Sequence, residues 1–178
     1  PEDVQNLSVR RHIYSEFYGL VVDFESSIYH LKNNSWTSMN SGIQNKVECT
    51  SLEEIPGGHN LVLGSVGGVY HYDCLKRQWQ NRSKGLRNMS METVCFHPYS
   101  ELQALLGLNG GGVFHTTNGG TTWIQSNTGL PSLRVKSLCR DPSDPNRVFA
   151  ACTTGLAMSD DNGRTWVRIG MAGSEYLN

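Results

Sequence analysis

Charged residues are scarce in this chain, at 17% of 178 positions, where a soluble domain usually carries roughly 25%. Their signs nearly cancel, since 15 Lys plus Arg stand against 16 Asp plus Glu for a net charge of −1. So balanced a chain has no global field to attract nucleic acid or an anionic membrane surface, and neither is expected as a partner. No apolar run approaches the roughly 18 residues of a membrane-spanning helix, so no membrane insertion is expected. The opening PEDVQNLSVRR is polar and does not read as a signal peptide; a leader already removed, or an initiator Met trimmed before Pro1, fits equally. Cysteines are few and odd in number (Cys49, Cys74, Cys95, Cys139 and Cys152), with no C-x-x-C pair. That disfavours a zinc ribbon or a dense disulfide framework. Four N-x-S/T sequons begin at Asn6, Asn33, Asn81 and Asn88; chance gives about two, so they do not decide the compartment.

What the chain does have is glycine, 19 of them, and a period. Trp36, Trp79, Trp123 and Trp166 recur at intervals of 43, 44 and 43 residues. Ahead of each stands a matching phrase: SSIYH (26–30), GGVYH (67–71), GGVFH (111–115) and TGLAM (154–158). Six positions after the first three tryptophans comes a glycine followed by an aliphatic residue: Gly42-Ile43, Gly85-Leu86 and Gly129-Leu130. Pro56, Pro98 and Pro142 keep nearly the same spacing. Within the last unit, residues 135–140, 147–152, 155–159 and 166–169 read as short strands. The turns between them are DPSDPN (141–146) and DDNGRT (160–165). Four short antiparallel strands in about 43 residues, repeated, predict an all-β chain of β-propeller blades. The expected organisation is one unit over 1–178, a whole or partial propeller, with blades at about 9–43, 44–86, 87–130 and 131–174.

The last unit carries Ser159-x-Asp161-x-Gly163-x-Thr165-Trp166, and the one before it Thr116-x-Asn118-x-Gly120-x-Thr122-Trp123. Both resemble the Asp-box (BNR, sialidase-type) repeat. The second unit is degenerate at those positions (YDCLKRQW, 72–79), and the first is two residues shorter (YHLKNNSW, 29–36). The resemblance covers about 170 residues at the level of the period. It implies relationship to the repeats of sialidases, xyloglucanases, sortilin-type receptors and photosystem assembly factors, and with them a secreted or organelle-lumen setting. The box is expected to be structural. Its hydroxyl and carboxylate or amide oxygens accept backbone N–H groups in a tight hairpin, Gly supplies positive φ, and the indole packs between sheets.

Other constellations favour plain readings. His30, His71 and His115 occupy equivalent positions on the third strand of their blades, roughly 10 Å from the central axis. Three such rings cannot meet one ion at about 2 Å, so they are expected to pack on the next blade. Cys95 and Cys139, equivalent on inner strands, are expected to be inert core groups. The basic run 76–87 (Lys76, Arg77, Arg82, Lys84, Arg87, no acid) is a candidate docking patch for an anionic protein or polysaccharide. The sialidase-like arginine cluster, acid and tyrosine are not found, and the nearest string to F-R-I-P is Arg168-Ile169-Gly170. No G-x-S-x-G, H-E-x-x-H or G-x-x-x-x-G-K-[ST] string occurs. No catalytic residue, metal or cofactor is therefore expected. The sequence favours a non-catalytic interaction or scaffold module. The alternative is a glycan-binding fragment or degenerate relative of a secreted glycosidase; a photosystem-type assembly factor is a third reading. Both ends fall at blade boundaries, so the terminal faces are expected to be covered by a second copy, by further blades or by another subunit, eight blades from two copies being the simplest symmetric solution.

Overall fold

The structure, a computed structural model, describes residues 9–24, 26–43, 47–57, 59–86 and 90–170. Four antiparallel sheets of four strands follow one another along the chain, each with strands in sequence order. The first holds β1 (Val9–Ser15), β2 (Gly19–Phe24), β3 (Ser27–Lys32) and β4 (Ser35–Ser38). The second holds β5 (Cys49–Glu54), β6 (Leu61–Ser65), β7 (Gly68–Asp73) and β8 (Gln78–Asn81). β9 (Met91–His97), β10 (Ser100–Leu108), β11 (Gly112–Thr116) and β12 (Ile124–Gln125) form the third. β13 (Val135–Arg140), β14 (Val148–Cys152), β15 (Gly155–Ser159) and β16 (Val167–Ile169) form the fourth. No helix occurs among the described residues. These are β-propeller blades, stacked side by side.

Alternation along each strand gives every blade two faces, and the core lies in the seams between blades. Three buried clusters hold four blades together. The first joins Val21 and Ile28 to Leu61, Leu63 and Trp79; the second joins Val62 and Val69 to Leu106, Phe114 and Trp123; the third joins Leu105 and Val113 to Val135, Leu138 and Trp166. The first strands line up along one side, β1 against β5, β5 against β9, and β9 against β13. No packing of that extent joins β13 back to β1 among the described residues. The blades form an open arc.

The period seen in the sequence is the period of a seam device. The indole Nε1–H of Trp79 donates to Met39 O at 2.5 Å, that of Trp123 to Arg82 O at 2.8 Å, and that of Trp166 to Ser126 O at 2.9 Å. Each acceptor directly follows the outer strand of the preceding blade. Two residues further on, Ser41, Lys84 and Thr128 accept the backbone N–H of the same tryptophans. The recurring glycine comes next. At Gly42, Gly85 and Gly129, φ is +89°, +97° and +88°, and a Cβ would overlap the carbonyl oxygen of Trp79, Trp123 or Trp166. Only glycine fits a seam that close.

Two expectations need correction. Trp79, Trp123 and Trp166 are buried, but Trp36 is only half-buried, because among the described residues no blade lies against that face. Cys139 is exposed and Cys95 half-buried. Cys95 faces the third seam, whereas Cys139 pairs with Phe149 on the outward face of the last blade, which no other described residue covers.

Candidate functional site

The hairpin turns are the best-formed polar assemblies in the molecule. In the last one, Ser159 Oγ donates to Asp161 Oδ1 at 2.7 Å and accepts the N–H groups of Asp161 and Gly163. Asp161 Oδ1 accepts the N–H groups of Arg164 and Thr165, both at 2.9 Å, while its Oδ2 accepts the Thr165 hydroxyl at 2.6 Å. Burial by itself would raise the Asp161 pKa; the donors from Thr165, Ser159 and Arg164 overrule it and hold the carboxyl at about 2. In the third blade the same frame recurs with Thr116, Asn118 and Thr122: Thr116 Oγ1 accepts the Gly120 N–H and Asn118 Oδ1 the Thr122 N–H, both at 3.0 Å. The hydroxyl, carboxylate and amide groups of the two boxes, Ser159, Asp161 and Thr165 and then Thr116, Asn118 and Thr122, are bonded within their own hairpins.

The second blade reaches a similar turn by other means. Asp73 Oδ1 accepts the N–H groups of Leu75 and Lys76, and the turn closes through Arg77 at φ +53°. The first blade replaces the box with Asn33-Asn34, φ +51° and +58°, a two-residue hairpin of the primed kind that asparagine tolerates. That accounts for the two missing residues.

The basic run does not form one patch. Lys76 and Arg77 sit at one end of β8, and Lys76 is 3.1 Å from Asp73. At the other end, Arg82 is half-buried and donates to Thr121 Oγ1 and Gln80 Oε1, both at 3.1 Å; Lys84 is exposed. Arg87 lies outside the described residues. The three histidines occupy three different seams. His30 Nδ1 is 3.1 Å from Tyr18 O. His71 and His115 are driven toward the neutral form by burial and then by Arg82 and Arg164 respectively. Among the described residues no three His, Cys, Asp or Glu side chains are placed to hold a metal ion.

A feature the sequence reading missed opens at the first seam. A cleft of about 430 Å³ lies between the first and second blades, lined by Phe17, Tyr18, His30, Lys32, Tyr72 and Arg77 among others, with no carboxylate among the described residues of its wall. The β1–β2 turn builds one side. Phe17 stacks on His59 with centroids 4.1 Å apart, and Tyr18 Oη donates to His59 O at 2.6 Å. Burial raises the pKa of the Tyr18 phenol and that of Tyr72, whose rise Arg77 partly offsets. Lys32 lies over the Phe17 ring, 5.1 Å from its centroid, and its ammonium donates to Phe17 O. Arg77 is exposed and makes no ion pair among the described residues. Two adjacent aromatics in a turn, Phe17-Tyr18, were the available sequence signal.

The arc has clear structural neighbours. It superposes on an ancestral GH74 enzyme with a TM-score of 0.73 at 19% identity, over 94% of this chain and 24% of that one. YCF48 bound to a D1 peptide matches with a TM-score of 0.69 at 19% identity, over 93% of this chain and 55% of that one. An extracellular domain of a one-component system from B. thetaiotaomicron gives 0.74 at 14% identity, over 98% and 23%. At such identities the likeness is one of fold: the chain is built as part of a β-propeller. It spans 23% to 55% of the length of these neighbours. No protein-family profile and no curated protein matches the sequence.

Proposed function

We propose that the chain is a non-catalytic Asp-box propeller module that binds or scaffolds another protein, holding an acidic segment in the cleft of the first seam. The cleft carries this reading: aromatic faces and two cations line it, and no acid opposes an anionic guest. The turns support it from the other side, since their polar atoms serve the hairpins themselves. The peptide held by YCF48 is a precedent for a propeller engaging a polypeptide. A glycosidase-derived, glycan-binding piece is the second reading, favoured by the GH74 likeness.

Titrating the chain with fluorescent acidic, neutral and basic peptides, alongside an array of neutral and uronic-acid glycans, separates the two. Saturable binding of acidic peptides, weakened at least tenfold by Arg77→Glu and by Phe17→Ala, is expected. Selective glycan binding, or release of a fluorophore from aryl glucosides that one point mutation abolishes, would favour the glycosidase lineage instead.

A further inference from the structure

We infer that two copies of this chain close head-to-tail into one eight-bladed ring, with the first blade of each copy seated on the last blade of the other. The argument begins with equivalent positions. In the face that each blade turns to its successor, Val21, Val62, Leu105 and Phe149 are aligned: each pairs across the second and third strands with His30, His71, His115 or Met158. The first three are at most 5% exposed, while Phe149 is only half-buried. On the same outward face Leu156 is 46% and Val167 66% exposed. Among the described residues, therefore, nothing lies against the seam face of the last blade.

The first blade has the opposite half. Tyr14, Leu20, Leu31 and Trp36 line up across its four strands, on the face that other blades turn to their predecessor. Tyr14 is 77% exposed, and the other three are half-buried. Their counterparts in the second blade, Leu61, Tyr72 and Trp79, are buried at 0%, 5% and 2%. The hydrogen-bond period leads to the same place. Tryptophan Nε1–H groups reach Met39, Arg82 and Ser126, each three residues after the tryptophan of its own blade, and the next in that series is Ile169, the partner of Leu156. In the ring, Trp36 Nε1–H of one copy donates to the Ile169 carbonyl of the other.

Size and curvature favour this closure over others. Four strands of about five residues present roughly 300 Å², so two seams would bury about 1,200 Å² in total, the lower bound for a stable interface. First face against first face would make only one seam and leave both last blades bare. The arc covers little more than half of YCF48, so its curvature belongs to a ring larger than four blades.

Light scattering on the 178-residue chain tests the proposal. One species of twice 19.8 kDa is expected, constant over a wide concentration range. Tyr14→Asp and Val167→Asp should each yield folded monomers, checked by tryptophan fluorescence. Mixing the two variants should restore a dimer, because one seam then has both native faces. The Trp36 indole N–H should resist hydrogen exchange in the wild-type chain and lose that protection in Tyr14→Asp. A wild-type monomer near 20 kDa, an open-ended ladder of masses, or sensitivity to only one of the two substitutions would overturn it.

Discussion

Asp161 shows how much structure one carboxylate can hold. It orders three residues of its own turn, and its depressed pKa is a stability statement. The folded value of about 2 lies below the ordinary 3.8, so the stabilisation is complete above about pH 4 and is lost as pH falls through 2. Thermal melts of the wild-type chain should weaken over that window, and Asp161→Asn should flatten the decline. Because Asn118 performs the same acceptor role one blade earlier, Asp161→Asn should cost only about 0.5–1 kcal/mol at neutral pH, and Asp161→Ala about 1–3 kcal/mol. Trp166→Ala removes a buried indole and its bond to Ser126, and should cost about 3–5 kcal/mol in denaturant unfolding.

At the level of elements, the seams are more demanding than the sheets. Gly129→Ala combines positive φ with an overlap on Trp166 O, and should lower stability by at least about 2 kcal/mol. The Asn33-Asn34 hairpin has no such neighbour. Asn34→Gly should be neutral or stabilising by about 0.5 kcal/mol, and Asn34→Val destabilising by about 1–2 kcal/mol, both read by urea denaturation. His71 sits inside the second seam with Arg82, Asp73 and Glu101 around it. Burial first, then Arg82, lowers its pKa below 6.5, outweighing the two acids. The neutral ring thus stabilises the fold above pH 6.5, and that contribution fades as the pH falls through the depressed value. A pH series of melts between 7 and 5 should show the loss, and His71→Phe should reduce it.

Across the whole molecule, the imbalance is between four blades and three seams. If closure depends on a second copy, the melting temperature should rise with protein concentration, because association shifts unfolding by mass action. Differential scanning fluorimetry over a hundredfold concentration range checks this. Tyr14→Asp should abolish the dependence.

Blade count, strand order and the recurrence of the glycine were legible in the sequence, because the same seam is built every 43 or 44 residues; what the glycine is for, a backbone approach too close for a Cβ, came only from the stacked blades. For 159–166 the expectation of side-chain acceptors in a tight hairpin came with the Asp-box resemblance; in the structure Ser159 and Asp161 accept N–H groups of their own turn. The tertiary structure decided the rest. Trp36 and Cys139 belong to the repeat like their counterparts, yet their exposure depends on whether another blade lies beyond them, which no local pattern encodes. The basic run was contiguous in sequence but parted by the length of β8. The cleft unites Phe17 with Arg77, 60 residues away, because they meet only when the first two blades stack.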